Sequence, residues 1–205
     1  MKIKIGVVDY GFKELVKKVD LEQFNFKCIR DSLTFILDKS MAPGAKFAVT
    51  WNGILAEILV NIRGSADKLD IYRRSILSLL AENKINMFLR NTGIPAKISL
   101  HGVVFKIIER SILSDPNTGE PNSAFLGTAD TYTTEIGIKK TTCGSQRVLT
   151  FWHEIVHLLD NFYENDELLS EVEIDLFAAA LIQVLRDNPQ LENSKAFEKW
   201  RSGKS

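Results

Sequence analysis

Apolar and polar positions along this chain follow two periods, and the clearest period-two stretch flanks Asn52-Gly53. The segments KFAVTW and ILAEILVNI alternate on either side of that pair. Asn-Gly supplies the two positive-φ residues of a type I′ turn, so a hairpin is predicted here. Its register would place Trp51 opposite Ile54, Val49 opposite Ala56 and Phe47 opposite Ile58, all on one face. Ahead of it, Ile3 to Tyr10 reads as a strand, and residues 11–20 and 21–39 carry helical spacing. Pro43 and Gly44 in MAPGAK break that pattern. Beyond the hairpin, Leu69, Tyr72, Ile76, Leu80 and Phe88 recur at helical spacing and predict a long helix over 66–91. Asn91-Thr92-Gly93 and Pro95 end it.

The second half opens with AKISLHGVVFKIIER, a strand or hairpin, followed by a surface loop, SDPNTGEPNS. TADTYTTEIGI reads as one further strand. Two helices follow, from Ser145 to about Asn161 and from Ser170 to Asp187, the latter stopped by Asn188-Pro189. The polar tail ENSKAFEKWRSGKS is expected to fray, with Trp200 as its one docking residue. Together these elements predict an α+β fold, with an N-terminal αβ portion over 1–95 and a second domain over 96–205.

Composition narrows the partners more than the fold. Lys+Arg and Asp+Glu are both 26, so no global field draws nucleic acid or an anionic membrane, leaving only a local face such as Lys139-Lys140 with Arg147. No apolar run has transmembrane length, and the first residues lack the apolar stretch of a secretory signal. Cys28 and Cys143 form no CxxC pair and read as reduced thiols. A cytoplasmic protein is expected.

Of only three histidines, two stand four residues apart in FWHEIVHLLD, residues 151–160. On a helix, residues four apart lie one above the other, so His153 and His157 can both reach one Zn²⁺. Glu154, about 100° around the helix, cannot bind beside them and is placed as general base towards a metal-activated water. Val148, Leu149, Trp152, Ile155, Val156 and Leu159 would anchor the helix in a core. Gln146, Thr150, His153, His157 and Asp160 form a polar stripe that could line a cleft.

A catalytic zinc needs a third protein ligand, and no histidine follows His157. His101 is the other histidine, and it reads more simply as a strand or turn residue before Gly102. The start of the last helix, SEVEIDLFAAAL, offers carboxylates. Glu171 and Asp175 share a helix face there: Glu171 would bind the metal, and Asp175 would hold a ligand histidine by its other ring nitrogen. Glu173 is the alternative ligand, although Ser170-x-x-Glu173 also matches a capping box.

These residues resemble the zincin metallopeptidases whose third ligand is a glutamate, the gluzincin arrangement. EVEIDLFAAAL is similar to the Glu-x-x-Ala-Asn-x-Phe-Ala-Ala-x-Leu helix of ImmA/IrrE-type peptidases, and residues 125–190 are similar to small phage and prophage proteins with the same helix pair. Val156 stands where that family has glycine and Ile174 where it has alanine, and no helix-turn-helix is evident. The resemblance implies a zincin-like C-terminal domain, a small sheet with an active-site helix and a ligand helix. It also implies that Asp130 to Lys140 forms a cleft-edge strand pairing with an extended peptide. Tyr132 and Tyr163 become candidate donors to a tetrahedral oxyanion.

The function expected is zinc-dependent hydrolysis of a peptide or protein substrate, in a cytoplasmic protein whose resemblance is to phage-encoded ones acting in the host cytoplasm. The alternative is an inactive, zinc-stabilised regulatory or interaction protein of phage type, recognisable by a closed fourth coordination position.

Overall fold

A computed structural model describes residues 2–5, 8–15, 26–29, 34–38, 40–64, 69–83, 94–161 and 169–202. Residues 66–68 and 84–91 of the expected long helix, residues 16–25, 30–33 and 39 of the two helices expected before it, and Tyr163 lie outside the described residues. The described residues are α+β, with five helices and small sheets. They group into two compact units, one of residues 1–73 with 183–205 and the other of 74–182. That grouping differs from a division at residue 95: it returns the C-terminal segment to the N-terminal unit.

In the first unit, strands β1 (Lys2–Ile5), β2 (Val8–Leu15), β3 (Phe26–Ile29) and β4 (Thr34–Asp38) form one sheet in the order β1-β2-β4-β3. Strands β2 and β4 run parallel and the other pairs antiparallel. Over the described residues 11–15, 26–29 and 34–38, the expected helical spacing is therefore overridden by sheet pairing. In Val8-Asp9-Tyr10-Gly11-Phe12 and Thr34-Phe35-Ile36-Leu37, aromatic and β-branched residues suit a pleated surface, and Gly11 disfavours a helix start.

The predicted hairpin is instead a single helix, α1 (Pro43–Arg63). Phe47, Trp51, Ile54, Leu55, Ile58 and Leu59 fall at three- and four-residue spacing, and all six are buried. Burying them contributes on the order of 10 kcal/mol, whereas Gly53 inside a helix costs about 1 kcal/mol. The longer-range term wins, and Asn52-Gly53 becomes an interior pair rather than a turn. Pro43 sits in the first helical turn, and Gly64 closes the helix at φ 74°, its N–H donating to Val60 O. The described part of the expected long helix is α2 (Leu69–Glu82).

Over its described residues, up to 202, the tail does not fray, and the side chain of Trp200 lies outside what is described. After Asn188-Pro189 it makes a 3₁₀ turn (Pro189–Leu191) and a last helix (Ser194–Arg201). Leu191 and Phe197 are buried, Phe197 meets Phe47 edge-on at 5.6 Å, and Trp51 Nε1 donates to Leu191 O. Asn188 clasps β1, accepting from Lys4 N at 2.8 Å and donating to Lys4 O at 2.6 Å.

In the second unit, β5 (Lys97–Leu100) and β6 (Val103–Arg110) form the hairpin that AKISLHGVVFKIIER predicts. His101 and Gly102, at φ 52° and 76°, make its turn. The loop after it carries a two-residue ladder, β7 (Leu113–Ser114) with β8 (Pro121–Asn122). TADTYTTEIGI is not one strand but two, β9 (Gly127–Asp130) and β10 (Glu135–Lys139), because the Asp130 carboxylate accepts the Tyr132 and Thr133 amides and turns the chain. The sheet runs β5-β6-β10-β9, with β6 and β10 parallel and β9 antiparallel at the edge. Among the described residues, no helix is long and apolar enough to cross a membrane.

Candidate metal centre

Helix α3 (Gly144–Asn161) carries the HEIVH run across β9 and β10. Val148, Phe151, Trp152, Ile155, Val156, Leu158 and Leu159 are all buried, so its position is fixed on its apolar side. The expected polar stripe is divided. His153 and His157 keep 18% and 17% of their side chains exposed, whereas Asp160 is buried and accepts the Leu169 N–H at 3.1 Å. Asp160 thus ties the end of α3 to the start of helix α4 (Glu171–Asp187) rather than lining a cleft. Asp160→Ala would strand a buried N–H at a cost of about 1–3 kcal/mol. A lowered melting temperature and weaker zinc binding are expected together, measured by thermal unfolding and zinc titration.

The first two turns of α4 face the two histidines. His153 Nε2 lies 3.3 Å from Glu171 Oε2, His157 Nε2 lies 3.5 Å from Glu171 Oε1, and the two ring nitrogens are 3.0 Å apart. A tetrahedral zinc with bonds of about 2.0–2.1 Å separates its donors by ~3.3 Å. The three residues therefore fit such an ion, and they are the one His/Cys/Asp/Glu group able to hold a metal among the described residues. On the far side of His153, Nδ1–H donates to Asp175 Oδ1 at 2.8 Å, which leaves Nε2 as the free lone pair. Removing that carboxylate as Asp175→Ala should weaken metal binding about 10–100-fold. Because the Asp175 side chain is 62% exposed, thermal stability should hardly change, and isothermal titration beside a melt separates the two.

The other candidates are not brought to this group. Glu173 completes the capping interaction, its Oε2 accepting both the Ser170 N–H and the Ser170 hydroxyl at 2.8 Å. That leaves Glu171, one turn from Asp175, as the carboxylate facing the histidines. Tyr132 is 98% exposed in the β9–β10 turn and lines no part of the cavity around the histidines, so it is not placed as an oxyanion donor. Nor does His101 approach: its Nε2 is 3.2 Å from Ser75 Oγ.

Glu154 is buried, and burial first, then the Glu171 charge, pushes its carboxyl up to about 8. It shares with His153, His157 and Glu171 the wall of a cavity of about 650 Å³. Strand β9 also lines it through Gly127 and its neighbours, and the β7–β8 turn adds Asp115 and Asn117. The expected edge segment, Asp130 to Lys140, is thereby corrected to Gly127–Asp130, because β10 lies inside the sheet between β6 and β9. Gly127, Leu126 and Asn117 were not singled out by sequence reasoning. A glycine opening a short strand before the motif helix is the one local signal that points to them.

The arrangement could hold a divalent ion at the floor of the cavity, beside the buried Glu154 carboxyl. Compared with protein-family models, curated proteins and solved structures, the chain shows no match, and the site's chemistry rests on its own geometry.

Proposed function

We propose that this chain is a zinc-dependent peptidase, with residues 74–182 forming its zincin-like unit. The observation that carries the reading is that two imidazole nitrogens 3.0 Å apart lie 3.3 and 3.5 Å from the two oxygens of one carboxylate, close to the donor separation of a tetrahedral zinc. When bound by His153, His157 and Glu171, zinc supplies Lewis acidity, which acidifies water and polarises a carbonyl. A divalent ion on Glu171 would offset the negative charge that helps raise the Glu154 carboxyl, so Glu154 would stand ionised there, take a proton from the attacking water and pass it to the leaving amine. Asp175 orients His153 throughout.

Strand β9 supports a peptide as substrate. Lys139 N–H donates to Leu126 O at 2.9 Å, and by the antiparallel register Thr128 pairs with Gly137 and Asp130 with Glu135. Residues alternate along such a ladder, so Gly127 and Ala129 turn their N–H and C=O groups away from β10. An extended peptide could pair with those groups at the cavity wall. The open cavity, with Glu171 71% exposed, favours this reading over an inactive zinc-stabilised interaction protein, whose metal would be closed off. Zero net charge agrees with a protein rather than a nucleic-acid substrate, and a cytoplasmic, phage-type setting remains part of the proposal. The test is hydrolysis of denatured protein substrates by zinc-loaded protein and by chelator-treated protein. Activity lost with the metal and restored by zinc supports the reading, and equal activity in both contradicts it.

A further inference from the structure

Gly127 begins β9 and has an ordinary negative-side backbone; unlike Gly102 or Gly119, its φ is not positive. Its lack of a side chain is therefore not required by conformation. It is required by space: a β-carbon there would lie 2.3 Å from Glu154 Oε1, 2.7 Å from Cγ and 2.8 Å from Cδ. Three atoms of one side chain fill the volume that any other residue would occupy. Glu154 is 5% exposed, and its closest approach to the strand is this packing against the Gly127 backbone.

We propose that Gly127 is the positioning residue for Glu154, providing the niche on the edge strand that keeps its carboxyl in the wall of the metal-site cavity. This rests on Glu154 as the general base. It also links base to substrate, because the residue that seats the carboxyl is one whose main-chain groups face away from β10. A peptide paired there would be registered against the base by a single residue. Gly137 offers a contrast on the neighbouring strand: its β-carbon would meet Thr128 Oγ1 at 2.5 Å and Leu113 Cδ2 at 2.8 Å, a purely structural contact away from Glu154.

The test is a double-mutant cycle on the full chain, read first by melting temperature. Gly127→Ala in the parent should lower it by about 5 °C, from overpacking against Glu154. In a Glu154→Ala background the same change should cost little or raise the melting temperature, because the added methyl enters vacated space. Gly137→Ala should cost the same in both backgrounds. Zinc content should stay at the parental level in Gly127→Ala, while kcat falls about 100-fold with KM little changed. Equal losses from Gly127→Ala in both backgrounds would overturn the proposal, as would loss of zinc. If Gly127→Ala does not fold, folding restored by Glu154→Ala supports it and failure in both backgrounds overturns it. Should the parent show no hydrolysis while the melting temperatures couple, the peptidase reading fails and the seating of Glu154 by Gly127 stands.

Discussion

Glu154→Gln should keep its zinc and lose hydrolysis by about 10²–10⁴-fold, the range expected when a general base is removed. The amide has the shape of the acid and fills the same niche beside Gly127, but it cannot accept the proton of water. Metal analysis and a peptide-hydrolysis assay on the same preparation separate the two effects. Parental activity in Glu154→Gln would remove Glu154 from the mechanism.

The same variant has a signature that needs no substrate. The Glu154 carboxyl is raised from 4.5 to about 8 by burial and by Glu171, so between those values the folded, metal-stripped protein holds a proton that the unfolded chain has released. Stability from this group is fully present below pH 4.5 and is lost as pH rises through 8. The loss across the window is on the order of 4 kcal/mol, or about 10 °C in melting temperature for a chain of this size. Glu154→Gln should flatten that slope, and melts of both proteins in chelator from pH 4.5 to 8 measure it. A parent whose stability does not fall more steeply than the variant's would mean that Glu154 is not buried as described.

The juxtaposition of His153, His157, Glu171 and Asp175 was legible because it is local. Two histidines on successive turns, a glutamate beside the first and two carboxylates one turn apart on the next helix all follow from helical periodicity, which tertiary packing rarely alters within so few residues. Ser170 and Glu173 also declared their capping role, which is why Glu171 rather than Glu173 could be favoured as ligand. Asp175 was readable for the same reason.

What was not legible depends on packing between distant segments. Residues 43–63 satisfy a period of two around Asn52-Gly53 and a period of 3.6 through Phe47, Trp51, Ile54 and Ile58. Only the buried partners of that face, Phe197 among them, decide for the helix. The strands β2 to β4 likewise exist through pairing, and helical spacing at 11–15, 26–29 and 34–38 had no competitor until the sheet supplied one. The break at Asp130 depends on one carboxylate capping two amides. Gly127 carries no functional group at all, and its importance emerges only when Glu154 is seen against it.

The second large effect concerns the ion itself. His157→Ala removes one of three donors, and since loss of an orienting group beyond the ligands already costs 10–100-fold in affinity, loss of a ligand should exceed about 100-fold. The helix should persist, because its buried apolar face does not involve His157. The measurement that decides is therefore the zinc content of the purified parent and of His157→Ala, prepared side by side. The parent should carry stoichiometric zinc and the variant almost none. Equal zinc in both proteins would contradict the whole account.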